Sequence, residues 1–352
     1  MARVVLLSAR AAEDETPEHR RPLEALQESA LADKFHLHQL TDNAESADAI
    51  IFVESYGAGW HFERVRRHPL TNHHREKCFI VSSNPFVIPF LPGLYTAIGR
   101  RWASRRVAPG LYLGQTVNEF LTYTPPSPDL PYLFSFMGST KTAPVRREVA
   151  RLTHPRSFFL NTAASYERAL HRQMPASEWR DYYHRYAEHI RSSKFVLCPR
   201  GLSVSSLRLF ETMEMGRVPV IISDDWKTPA GPCWDRFCLR VAETDVAQIP
   251  RLLSEREAEA VTMGELARAQ WQDWYSKEAA FHRVVEWCLA LKKERRVPEN
   301  VARWPVYLQY LRPFHFRRAL GNKVRHWRSR RGVPLQKPAP AAKSSTLRKE
   351  SP

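Results

Sequence analysis

The sequence predicts an α/β protein made of two Rossmann-like domains, each built on an open parallel sheet. The first ground is the stretch Lys194 to Trp226, KFVLCPRGLSVSSLRLFETMEMGRVPVIISDDW, which reads strand, loop, helix, strand. That order within about thirty residues makes a βαβ unit, with parallel strands and a right-handed crossover. The second is the same alternation, with short connections, in the first third of the chain. The third is size: 352 residues with 43% hydrophobic content suit two domains with full cores.

In chain order, Val4 to Leu7 reads as a strand, and Leu23, Leu26, Ala30 and Leu31 set a helical period over 23–35. Asp48 to Val53, DAIIFV, is a buried strand that ends in Glu54-Ser55-Tyr56-Gly57. A short basic helix over 62–68 and a strand at Phe79 to Val81 follow. From Pro85 to Pro131 the chain is rich in proline, glycine and aromatics. The arginines at 100, 101, 105 and 106 read there as a solvated basic surface rather than a wall for an anionic substrate. Prolines 125, 126, 128 and 131 mark a stiff interdomain linker. The domains expected are therefore 1–130, 131–316 and a tail, 317–352.

In the second domain Tyr132 to Gly138 is a strand, and Val145 to Leu152 a helix. A strand near Phe158 to Leu160 precedes a helix over Trp179 to Ile190. The stripe Trp179, Tyr182, Tyr183 and Tyr186 on that helix is expected to face the core. Phe237 to Val241 reads as an edge strand and Val246 to Leu253 as a helix. Two long helices, 255–275 and 277–292, close the domain, with Trp271, Trp274, Phe281 and Trp287 as core or domain-contact anchors.

The βαβ stretch also holds the candidate chemistry. Ligands of such sheets bind at the carboxyl ends of the strands, and here those ends carry Arg200, Gly201, Ser203, Ser205, Ser206, Arg208 and Glu211. A helix N-terminus flanked by hydroxyls and an arginine suits a diphosphate. A carboxylate one turn on suits a ribose diol. Arg208 and Glu211, at i and i+3, would serve equally as a surface ion pair.

The order CPRG, then S-x-R-x-x-E through Ser206, Arg208 and Glu211, then G-x-V-P-V-I-I-S-D through Gly216, Pro219, Ser223 and Asp224, resembles the exostosin family, the inverting family 47 glycosyltransferases. Tyr132 to Ser139, with Gly138, is similar to the strand and glycine that open that family's nucleotide-sugar domain. The resemblance covers roughly 130–250 and departs at Thr212, where alanine is common. It implies the GT-B architecture, two Rossmann-like domains facing across a cleft. It also implies a nucleoside diphosphate sugar, UDP-linked by family habit, as donor and a glycan or lipid-linked saccharide as acceptor in surface polysaccharide synthesis. Arg208, with Ser205, Ser206 and the helix N-terminus, is assigned to the departing diphosphate. Arg200 is a second candidate for that charge. Glu211 is assigned to the ribose, while Asp224 holds donor-sugar hydroxyls or only caps its turn.

Inversion requires a general base on the acceptor side. Glu54, at a strand end of the first domain, is the first candidate, ahead of His61 and Asp48; Tyr56 and the 82–95 loop are further candidates for acceptor contact. No Asp-x-Asp pair stands at a strand end, so metal-independent binding without a cofactor is expected. The five cysteines are odd in number and scattered, as reduced thiols are, and Cys233 and Cys238 have no second pair at zinc spacing.

No run of about eighteen apolar residues occurs, and MARVVLLSAR has only four consecutive strong hydrophobes, too few for a signal-peptide core. Animal exostosins carry an N-terminal membrane helix, so these features lead us to expect a soluble, bacterial-type, cytoplasmic member. Residues 317–352 hold eleven Lys or Arg against one Glu, a net +10 of the whole-chain +16. This basic tail is expected to be disordered and to touch anionic lipid weakly. Two rival classes stay open: a catalytically silent sugar-nucleotide-binding scaffold, and a basic nucleic-acid-binding protein, for which no recognition motif is found.

Overall fold

The structure is a computed structural model that describes residues 1–10, 17–54, 62–84, 88–114, 118–170, 174–313, 316–317 and 320–321. The first half is a six-stranded sheet: β1 (Ala2–Leu7), β2 (His38–Leu40), β3 (Ala49–Glu54), β4 (Cys78–Ser82), β5 (Gly93–Tyr95) and β6 (Val107–Ala108). The strands lie in the order β2-β1-β3-β4-β5-β6, and each pairing is parallel. Helices α1 (Pro17–Leu31), α2 (Glu63–Arg67) and α3 (Pro69–His73) fall between the strands. β3 and β4 are buried along their whole length, which explains their unbroken apolar runs: a parallel sheet covered on both faces has no solvent side to alternate with.

The second sheet holds β7 (Tyr132–Gly138), β8 (Ser157–Asn161), β9 (Ser193–Pro199), β10 (Val218–Ile222) and β11 (Leu239–Arg240) in the order β11-β10-β9-β7-β8, again all parallel. Its helices are α4 (Pro144–Val149), α5 (Ala163–Leu170), α6 (Ala176–Arg191), α7 (Leu207–Glu214), α8 (Ile249–Glu255) and α9 (Ala260–Trp274). The chain runs outward from β7 to β8 and then returns to place β9 on the other side of β7. That reversal opens a crevice above the ends of β7 and β9. Two parallel α/β sheets in one chain are the GT-B architecture, as expected. Three short strands, β2, β5 and β6, lacked a readable pattern, because two or three residues set no period.

Helix α10 (Lys277–Lys293) crosses back to the first half. Ser29 Oγ donates to the Lys277 carbonyl at 2.5 Å and accepts from Phe281 N–H at 2.8 Å, and Lys34 N–H donates to the Glu278 carbonyl. The sequence reading placed this helix with the second half; its packing on α1 makes it a strap over the first. α11 (Glu299–Ala302) follows it, with Glu299 buried against Arg106. The linker is fixed by Arg217, 1% exposed, whose guanidinium donates to the Thr124 carbonyl and hydroxyl and to the Arg191 carbonyl. Gly216 ends α7 at φ +69°, and a Cβ there would stand 2.6 Å from the Tyr123 ring.

From Trp304 onward the chain forms a separate unit: α12 (Trp304–Tyr307) and a 3₁₀ turn over Leu308–Leu311, with Trp304, Leu308 and Leu311 exposed. Of the basic tail, only 317, 320 and 321 are among the described residues. Among the described residues no helix is long and apolar enough to cross a membrane.

Candidate functional site

The crevice above β7 and β9 contains a cavity of about 400 Å³, roofed by the Gly201–Arg208 loop and the first turn of α7. Ser206 is the N-cap residue of α7, yet its side chain makes no capping bond; the Leu209 N–H turns back to the Ser206 carbonyl, and the hydroxyl covers none of the first N–H groups of the helix. Arg208 points under the loop. It is 6% exposed, and its Nη2 donates to the Met137 carbonyl at the end of β7. Its guanidinium lies 4.6 Å from the centre of the Phe136 ring and 5.6 Å from that of Tyr186. Nε and Nη1 have no hydrogen-bond partner, and neither does the buried hydroxyl of Ser205.

Unpartnered donors on a buried cation are costly. A folded chain retains them where a ligand or ordered water supplies the acceptors. Gly138 makes room for the arrangement, since a Cβ there would come within 2.9 Å of Arg208 Nη2. Glu211, one turn along α7, is 7% exposed and accepts the Tyr186 hydroxyl at 2.5 Å. Burial pushes its carboxyl above the ordinary range, against the pull of that hydroxyl and of Arg208.

The structure thus brings Gly201, Ser205, Ser206, Arg208 and Glu211 to one cavity, with Gly138 beneath it. It does not bring the other candidates there. The Arg200 Nε donates to Glu243 at 2.7 Å. Asp224 accepts from the Glu243 N–H at 3.0 Å, the contact of a residue that caps its turn. Arg200, Asp224 and Glu243 together tie the ends of neighbouring strands.

Glu54 is 1% exposed and accepts from the Ala9 N–H at 2.6 Å and from the Ser8 hydroxyl at 3.3 Å. It is not a wall of the cavity, and these bonds make it a tie between the ends of β1 and β3. Burial raises its pKa, against the Ala9 bond and Arg10. Asp48 stands at the opposite end of β3 and accepts from the Arg3 N–H, away from the crevice. His61 and Tyr56 lie outside the described residues, as do 85–87 of the 82–95 loop.

Two features were missed. Trp179 and Tyr183 line the cavity instead of the core, and Tyr182 lines it while also packing on the core, because α6 buries only its last turns, through Tyr186, Ala187, His189 and Ile190. The Trp179 and Tyr183 rings stack at 5.2 Å, a flat apolar wall at the mouth. Arg146, on α4, is the second cation of the cavity, held by the carbonyls of Ser139, Pro199 and Arg200. The logic that singled out Arg208 would have found it, for it too follows a strand, a glycine and a hydroxyl-rich loop. All five cysteines are free, and burial pushes Cys198 beside Thr212 up to about 12, so it is no nucleophile. Among the described residues the one group with metal-ligating spacing, His38, His282 and Glu286, lies between β2 and α10, away from this cavity.

The family model for the Exostosin GT47 domain matches residues 115–255, which span the cavity's loop, α7 and the strands beneath. Over residues 115–255 the chain is thus similar to an exostosin GT47 domain. The Exostosin-1 homolog of Caenorhabditis elegans is 43% identical over 70 residues, 19% of this chain and 18% of that protein. A probable glucuronosyltransferase of Oryza sativa subsp. japonica is 34% identical over 109 residues, 30% of this chain and 25% of that protein. The chain therefore spans a quarter or less of the length of these relatives. Among solved structures, Anabaena HepE in complex with UDP aligns over 81% of this chain and 99% of its own at 10% identity and a TM-score of 0.36. Sucrose-phosphate synthase from Thermosynechococcus elongatus aligns over 83% and 98% at 10% identity and 0.42. At such TM-scores the likeness is loose, and the fold follows from the two sheets themselves.

Proposed function

We propose that the exostosin GT47 domain makes this chain an inverting glycosyltransferase, which moves a sugar from a UDP-sugar to a hydroxyl of a glycan or lipid-linked saccharide. The observation that carries the reading is Arg208, a buried cation at a helix N-terminus with two donor nitrogens unpartnered and the unpartnered Ser205 hydroxyl in the same cavity. A departing diphosphate gathers negative charge in the transition state, and fixed donors already aimed at that charge need no reorganisation to meet it. Glu211, with one oxygen on Tyr186, keeps a second for a ribose hydroxyl, and the Trp179–Tyr183 wall offers a face to the base.

In this reading the diphosphate is neutralised by Arg208, Arg146 and the α7 N-terminus without a metal ion. Uridine is the base the exostosin resemblance implies. Work in the cytoplasm on surface polysaccharide, with weak lipid contact through 317–352, belongs to the same proposal.

Calorimetric titration of UDP, GDP, CDP and ADP into wild type and Arg208→Ala, with and without EDTA, tests it. UDP should bind regardless of EDTA, and Arg208→Ala should weaken it on the order of a hundredfold, the scale of removing a buried charge-assisted clamp. Equal binding by the variant, or no nucleotide bound at all, would remove the transferase reading.

A further inference from the structure

A second and larger cavity, about 740 Å³, opens beyond the ends of β10 and β11. Its wall carries Arg100 from the first half and Lys227, Arg236 and Arg240 from the second, with Asp235 as the one acidic residue. Among the described residues none of these four cations has an ion-pair partner. Arg240 is held in place by the Ser223 and Trp226 carbonyls, at 3.3 and 3.2 Å. Burial first, then the nearby Arg100 charge, push its pKa down, against the pull of Cys238, Asp235 and Asp224. Trp226, 2% exposed, lines the cavity and lies with its ring 5.9 Å from the Arg240 guanidinium.

The two halves are locked together at this point. The Arg100 N–H donates to the carbonyl and the carboxylate of Asp225, at 2.7 and 3.1 Å, and Gly99 pairs with Trp226. A Cβ at Gly99 would stand 2.2 Å from the Asp225 carboxylate, which would have to shift to admit it. The cavity is also joined to the donor cavity through one residue. Ser223 receives Arg240 on its carbonyl, while its hydroxyl donates to the Val204 carbonyl in the loop that roofs Arg208.

We propose that this cavity is an anion subsite for the acceptor: it takes a carboxylate or phosphate group of the saccharide whose hydroxyl is glycosylated. Four cations without ion-pair partners match an oxyanion, and arginine forks bind both groups in bidentate fashion. A neutral glycan would leave the cations facing one another. The proposal rests on the transferase reading, which supplies the reason for a saccharide here.

The test uses the full chain and three probes: a hexasaccharide of alternating glucuronate and N-acetylglucosamine, its carboxyl-reduced form, and a phosphodiester-linked oligosaccharide. At least one charged probe should bind about tenfold more tightly than the reduced one, and Lys227→Ala/Arg236→Ala should remove that advantage. Arg236→Glu, a single exposed change, guards against a folding defect in the double variant and should act in the same direction. Which charged probe responds tells carboxylate from phosphate. Equal binding of charged and reduced probes, equal binding by wild type and variants, or no binding of either charged probe would overturn the subsite. A loss confined to UDP-glucuronate relative to UDP-glucose would also overturn it, since the anion would then belong to the donor. UDP affinity measured on the same samples, with Arg208→Ala alongside, reports the donor site separately, so failure of the transferase reading and failure of the subsite are told apart.

Discussion

The carboxyl edges of the two sheets differ in how their polar groups are occupied. At the first sheet, Glu54 closes on the Ala9 N–H and the Ser8 hydroxyl, and the strand ends are bound to each other. At the second, Arg208 makes one bond to Met137 and leaves two nitrogens open, beside an open Ser205. Both are buried charged residues at strand or helix ends, and both look equally functional in a sequence. Their partners separate them. A buried charge whose bonds are satisfied internally holds the fold, whereas one whose donors stay open lowers stability until a ligand covers it.

The largest effect expected from this contrast is on stability, in the first half. Glu54→Ala removes the acceptor of the Ala9 N–H and the Ser8 hydroxyl and leaves the part-buried Ala9 N–H without its partner, at a cost of about 2 kcal/mol. Chemical denaturation should show that loss, while UDP affinity stays within twofold of wild type. A variant that kept its stability and lost turnover would return Glu54 to the chemistry. Next in size is Gly138→Ala in the second half. The added methyl meets Arg208 Nη2 at 2.9 Å and the Phe136 ring at 3.0 Å, and the flexible arginine yields first. UDP binding should weaken about tenfold, or about 1.4 kcal/mol, with less loss of stability than Glu54→Ala causes. Unchanged UDP affinity would mean that Arg208 does not act from its present position.

The legibility of the two edges followed from local pattern. β9, loop, α7 and β10 announce themselves because strand, cap, helix and stop signals fall within one stretch, and the nearby strand ending in Gly138 lies beside them in space. Arg208, Glu211, Ser205 and Ser206 could thus be placed from sequence. Arg200 and Glu54 could not, because each is decided by a partner far along the chain, Glu243 and Ala9 respectively. The aromatic stripe failed for a related reason. A period identifies one face of α6 but not what that face meets, and the sheet covers only its final turns. The return of α10 to α1 likewise depends on Ser29, some 248 residues away from Lys277.

Within the second half, α7 itself offers the finest test of the contrast. Glu214 lies three residues beyond Glu211, and burial first, then the Glu211 charge, raises its pKa to about 7, against Arg268. A carboxyl whose folded pKa exceeds its unfolded value binds its proton more tightly in the folded chain. Its contribution is fully present below the unfolded value, near 4.5, and is lost as pH rises to about 7. Glu214→Gln keeps the neutral form at every pH. The variant should match wild type near pH 4 and exceed its unfolding free energy by about 1 kcal/mol at pH 7.5, a gain discounted because the site is not wholly buried. Denaturant titrations at those two pH values check this. A gain of equal size at both would mean that packing, not charge, sets the effect. No gain at pH 7.5 would mean that Arg268 already neutralises Glu214, leaving less uncompensated charge on α7 than the open donors of Arg208 imply.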